Sequence, residues 1–231
     1  MTRMARLTIF TLARWASVAS VALACMAMLL YPGGTIRDPS TSGYSFFQNF
    51  LSDLGSTVAW GGQPNYRSAI LFVTSFVILA LALAGSFVAF VRLFSSSRNP
   101  RYSAHTAGAA GVLSCVGLIG AALTPGNRFL TLHLEFALLA IGASLVASLL
   151  FALATSQDDR FPRGVPFAWL ALTLVLATLF SMRWGPGLTT DQGLAIQVTA
   201  QKIAAIAILA IFIYQSYEAD RIGARFDRTG S

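Results

Sequence analysis

The sequence predicts an all-α membrane protein: a six-transmembrane-helix bundle with both termini inside and a short amphipathic helix in the first outer loop. Three observations point there. Only 11% of the 231 residues are charged, against about 25% in a soluble domain, while 55% are hydrophobic. Six apolar runs, approximately 12–31, 68–94, 104–123, 130–154, 165–182 and 194–217, each approach the roughly 20 residues that cross a hydrocarbon core. Between them, arginines cluster on alternate loops. The mean hydropathy is +0.66, and the net charge of +7 with a pI near 10.1 is distributed as an orientation signal. Clusters of this kind between apolar runs do not form a nucleic-acid footprint.

The chain divides into an N-terminus over 1–11, one transmembrane domain over 12–217 and a tail over 218–231. Tyr31-Pro32-Gly33-Gly34 closes the first run, Thr124-Pro125-Gly126 the third, and Gly185-Pro186-Gly187 follows the fifth. Pro and Gly just beyond a helix end are ordinary stop signals. Val21-Ala22-Leu23-Ala24-Cys25 has the outline of a lipoprotein cleavage site. However, Ala22 stands three before the cysteine and the apolar run continues through Leu30, so the first helix reads as retained. Cys25 and Cys115 belong to no metal or redox spacing and read as small buried apolar residues.

Counting Lys and Arg near the ends of the spans gives the direction. Arg3, Arg6, Arg14, Arg92, Arg98, Arg101, Arg160, Arg163, Arg221, Arg225 and Arg228 lie on one side; Arg37, Arg67, Arg128 and Arg183 lie on the other. Eleven against four places both termini in the cytoplasm.

Residues 32–67 form the long first outer loop. Phe46, Phe47, Phe50, Leu51 and Leu54 recur at helical spacing, which predicts a short amphipathic helix stopped at Gly55. Asn49 and Asp53, four apart, share a face, with Gln48 and Ser52 beside them. Two roles stand open for that face. Asp53 caps neighbouring backbone, or Asn49 and Asp53 line a site at the outer mouth of the bundle.

Asn49-Phe50-Leu51-Ser52-Asp53-Leu54-Gly55, after a first helix that ends in Tyr31-Pro32-Gly33-Gly34-Thr35, resembles the DUF998 family of prokaryotic six-helix membrane proteins. Ser52-Asp53-Leu54-Gly55 followed by Pro64-Asn65-Tyr66-Arg67-Ser68 is also similar to the eukaryotic Frag1/DRAM/Sfk1 group, with Leu54 in place of a Thr and no Glu after Pro64. The resemblance implies a shared fold in a bacterial or archaeal plasma membrane, and no established activity. The eukaryotic relatives are associated with lipid remodelling, lipid organisation and autophagy.

Ionisable groups inside the hydrocarbon are costly unless paired or hydrated. Glu135 lies about five residues into the fourth run, on one stripe with Thr131 and Arg128. His133 is about 200° around the helix from Glu135 and points elsewhere. His105 begins the third run at the opposite end of the membrane, so the two histidines cannot share a metal. Gln197 and Gln201 share a face of the sixth run, and Lys202 follows. At 1.5 Å per residue Lys202 lies roughly 12 Å below the outer end and Glu135 roughly 8 Å, which allows a Glu135–Lys202 pair. The candidate pocket is therefore Asn49, Ser52, Asp53, Arg128, His133, Glu135, Gln201 and Lys202, facing outward.

Ala107-Gly108-Ala109-Ala110-Gly111, Gly117 and Gly120 give the third helix a narrow face for close packing, within the bundle or between copies in a homo-oligomer. Trp15, Trp60, Trp169 and Trp184 mostly lie near interfaces, as belt residues do. Nothing indicates a nucleotide, flavin, haem or metal cofactor; the expected partners are membrane lipids and not nucleic acid. Four functions are compatible with these residues: binding or organising a lipid head group, an enzyme acting on a lipid or isoprenoid, a small transporter, or a purely structural subunit. No Gly-x-Ser-x-Gly motif supports the enzyme, and no inverted repeat supports the transporter.

Overall fold

A computed structural model of the chain describes residues 3–94, 98–185 and 187–229. Six α-helices run up and down: α1 (Arg3–Leu29), α2 (Tyr66–Val91), α3 (Arg98–Leu123), α4 (Leu130–Ser156), α5 (Gly164–Ser181) and α6 (Asp191–Thr229). All six are long and apolar enough to span a membrane. Among the described residues no β-strand forms. Pro186, in the third stop signal, lies outside the described residues. Each helix packs against its neighbours in the chain, and α6 returns to α1, so the six close a ring. One end carries residues 30–65 (the loop end); the other carries the start of α1 and the end of α6 (the terminal end).

The small residues of α3 are consumed inside this ring. A Cβ on Gly117 would stand 2.6 Å from the Ala140 backbone nitrogen and 2.8 Å from the Phe136 carbonyl oxygen of α4. Gly108 and Gly111 instead make room for the side chains of Val91 and Phe87 of α2. Close backbone approach compensates for the weak hydrophobic drive between helices in lipid. Two serines bind α1 to α2: Ser20 Oγ donates to the Ser75 carbonyl at 3.0 Å, and Ser75 Oγ returns a bond to the Ser20 carbonyl at 2.8 Å.

Two cores close the ring at its ends. At the terminal half Phe87, Phe90, Phe94, Phe151, Phe161, Trp169 and Phe212 form a continuous aromatic cluster. Trp169 is therefore buried in the bundle instead of in an interfacial belt, whereas Trp15, Trp60 and Trp184 are exposed. Cys115 is buried as expected, but Cys25 is exposed. At the loop end Ala27, Tyr31, Leu54, Ala59, Phe72 and Ala122 form a smaller core beneath residues 30–65.

That loop is folded as a lid. Short antiparallel bridges join Gly33 to Ser42 and Val58 to Pro64. Gly34 has a φ of +87°, and a Cβ there would lie 2.1 Å from the Gly61 nitrogen, so only glycine fits this crossing. The expected amphipathic helix is shorter than its spacing suggested. Residues 45–49 make a turn, Phe50 is extended, and a single 3-10 turn occupies Leu51–Gly55. The extended Phe50 (ψ 156°) interrupts helical geometry between the two halves, so Phe46 and Phe47 stand apart from Leu51 and Leu54.

Candidate functional site

Between the aromatic cluster and the lid lies a cavity of about 450 Å³. Its walls are apolar side chains of all six helices, among them Leu79, Leu118, Ile141, Leu176 and Leu209, and its floor is Phe87, Trp169 and Phe212. Along α6 it runs from Lys202 to Phe212, ten residues or about 15 Å at ~1.5 Å per residue. That is half of a hydrocarbon core roughly 30 Å thick, the depth of one leaflet. Ser52, His133, Gln201 and Lys202 gather on its wall toward the lid.

Lys202 anchors this polar end. It is 4% exposed, and its Nζ donates to the Asn49 carbonyl oxygen at 2.6 Å. The amine also lies 4.9 Å from the Phe46 ring centroid and 5.4 Å from that of Tyr44, within cation–π range. Gln201 Oε1 accepts from the Leu51 backbone N–H at 2.8 Å, a bond that uses neither of its amide donors. His133 Nδ1 lies 3.0 Å from the Ala121 carbonyl and 2.8 Å from that of Thr124. Both are acceptors, so Nδ1 carries a hydrogen. These carbonyls lie at the C-terminal end of α3 and in the turn beyond it, so the ring is held across the α3–α4 hairpin.

Asn49 and Asp53 meet as their spacing implies, but they brace the lid and are not part of the cavity wall. Asn49 Nδ2 donates to Asp53 Oδ2 at 3.1 Å and to the Gly34 carbonyl at 2.9 Å, and Asn49 Oδ1 accepts from Ser45 N–H at 2.9 Å. Asp53 Oδ2 also accepts from the Phe50 N–H at 2.9 Å, and the Trp60 indole reaches the same carboxyl. Asp53 thus caps its own turn.

The Glu135–Lys202 pair that the helix depths allow does not form. Glu135 is exposed, on one outward stripe with Thr131 and Arg128, and among the described residues it has no ion pair. The 200° between Glu135 and His133 puts the histidine inside and the carboxylate outside. Lys202 turns upward to a backbone carbonyl instead. Of the eight candidate residues, Ser52, His133, Gln201 and Lys202 share the cavity wall, Asn49 and Asp53 support the lid above, and Arg128 and Glu135 stay on the outer surface. Tyr44, Phe46 and the aromatic floor are the members that sequence reasoning missed.

Burial pushes the Asp53 carboxyl above the usual carboxylate range. The bonds from Asn49, Trp60 and Phe50 and the nearby Lys202 only partly oppose this. Because the folded state favours the neutral acid, the stabilisation is complete below the unfolded value of about 4 and is lost as pH rises through the raised folded value. The neighbouring tyrosines do not interfere, since burial pushes Tyr31 up to about 12 and Tyr44 upward as well. Thermal unfolding in detergent is therefore expected to decline from about pH 4 upward. In Asp53→Asn, which keeps an acceptor for Asn49 and Phe50, that slope flattens. Parallel curves for the two proteins would remove Asp53 as its source.

Compared with family models, with curated proteins and with solved structures, the chain matches none.

Proposed function

We propose that this multi-pass membrane protein binds a lipid amphiphile inside its ring, with the hydrocarbon part in the cavity and the polar head against Ser52, His133, Gln201 and Lys202. The observation that carries this reading is the cavity itself: predominantly apolar along one leaflet's depth, with its one buried cation, Lys202, beside Gln201, His133 and Ser52 toward the lid. A volume of about 450 Å³ falls within the roughly 300–1,000 Å³ of small-molecule sites. Lys202 uses one of its three N–H groups on Asn49, and the bond from Leu51 to Gln201 Oε1 uses neither amide N–H of that side chain. An acceptor-rich head such as a carboxylate or a phosphate suits that set. The arginine asymmetry supports an orientation with the lid outside and the termini in the cytoplasm. The likeness of Ser52–Gly55 to a motif of lipid-associated membrane proteins agrees with this reading.

Native mass spectrometry of protein released from a mild detergent is expected to show a retained amphiphile. Ser144 lines the cavity at mid-depth without a side-chain hydrogen bond, so Ser144→Phe fills the space and is expected to lower occupancy about tenfold or more. A wild-type protein that is always ligand-free, or an adduct indifferent to Ser144→Phe, overturns the reading.

A further inference from the structure

The cavity has an opening, and the exposed members of its wall show where. Val21 (44% exposed), Cys25, Phe46 (47%) and Ile206 (61%) line the cavity and are also exposed at the surface of the bundle. Among the described residues, α2, α3, α4 and α5 contribute no exposed lining residue. The four border one seam, between α1 and α6 in the loop half.

The seam is closed lower down. Arg14 Nη1 donates to Asp220 Oδ2 at 2.8 Å and to Ser216 Oγ at 3.3 Å, and its guanidinium lies 4.5 Å from the Tyr217 ring centroid. Arg14, Val21 and Cys25 fall on one face of α1, seven and four residues apart. The face that grips α6 at Arg14 therefore loses it about two to three turns above. The lid itself offers no such passage. It is fastened to α6 through Leu51–Gln201, Asn49–Lys202 and Arg37–Asp191, and to the α3–α4 turn through Thr57–Asn127.

The geometry points to a lateral portal: the hydrocarbon chain of a bilayer amphiphile enters the cavity between α1 and α6, bordered by Val21, Cys25, Phe46 and Ile206, without passing through water. This rests on the reading that the cavity holds an amphiphile, and adds its source and route. The apolar rim matches acyl chains on the outside, and the polar end beneath Phe46 receives a head group that stays at interfacial depth while the chain moves sideways. A ligand delivered from water would have to displace the fastened lid.

The test uses Trp169 on the cavity floor as the reporter and a fatty acid brominated near its methyl end as the probe. The full-length protein, with Trp15→Phe and Trp184→Phe, is reconstituted in liposomes, and Trp169→Phe supplies the blank. Quenching of Trp169 is expected, with a rate that follows the probe's concentration in the membrane and not in the water. Cys25→Phe and, from the other wall, Ile206→Phe are expected to slow both loading and release about tenfold while final quenching is unchanged. Ser144→Phe is expected to abolish quenching. Full quenching at parental rates in both rim variants overturns the portal and leaves the amphiphile reading standing. No Trp169 quenching in the parent overturns the amphiphile reading, and the portal with it. Loading that tracks the aqueous concentration overturns the membrane as source.

Discussion

Replacing Lys202 by methionine is expected to lower the unfolding temperature by about 5–10 °C and to expose residues 32–65 to protease, while α1–α6 stay assembled. Methionine keeps most of the side chain's volume, so no large cavity is added. What is lost is the 2.6 Å bond to the Asn49 carbonyl, a bond of the charge-assisted kind, and the favourable field at Asp53. Removing such a bond from a buried site costs about 2–3 kcal/mol. The result is measured by thermal unfolding in detergent together with limited proteolysis. A variant with wild-type melting and an equally resistant loop would show that Lys202 does not hold the lid.

A larger effect is expected at Asn49, which is fully buried. Asn49→Ala removes one acceptor and two donated bonds at once, leaving Ser45 N–H, the Gly34 carbonyl and Asp53 Oδ2 each short of a partner. At roughly 1–3 kcal/mol for each buried group left unpaired, the expected loss is about 3 kcal/mol or more. Because Lys202 bonds the backbone of the same residue, the two substitutions are coupled. The double variant is expected to lose clearly less than the sum, and strict additivity would separate the two contacts. Asn49→Asp distinguishes the donors from the acceptor: it keeps the bond from Ser45 and sets a second carboxyl beside Asp53.

Lys202 also shows what the sequence could and could not convey. Its presence in an apolar run marked it as a partnered group, and the depth count placed it correctly below the loop end. Its partner was illegible, because a backbone carbonyl has no letter in the sequence, whereas Glu135 stood out as a carboxylate. The contrast between Glu135 and His133 was readable as 200° of helix rotation, but which of the two faced inward was not. In a soluble helix the apolar stripe would have settled that. In a lipid-facing bundle both sides of a helix are apolar, so cavity-lining Leu176 and Leu209 look like outward-facing Leu170 and Ile203. The six spans were legible for the complementary reason: the bilayer imposes length and apolarity on each segment independently of its neighbours. Ring closure through α1 and α6 is a long-range pairing with no local signature. Trp169 was misplaced because belt statistics describe tryptophans that face lipid, and this one stacks on Phe151 instead.

The paired bonds between Ser20 and Ser75 carry a mechanical consequence. They fix α1 to α2 at the level of Val21, one residue from the seam, so α1 is the doorpost. Across the seam stands α6, a single 39-residue helix without an internal break. It is tied to α1 at Arg14–Asp220 and to the lid through Lys202, Gln201 and Asp191, so the seam beside Cys25 lies between two fastened levels of the same helix.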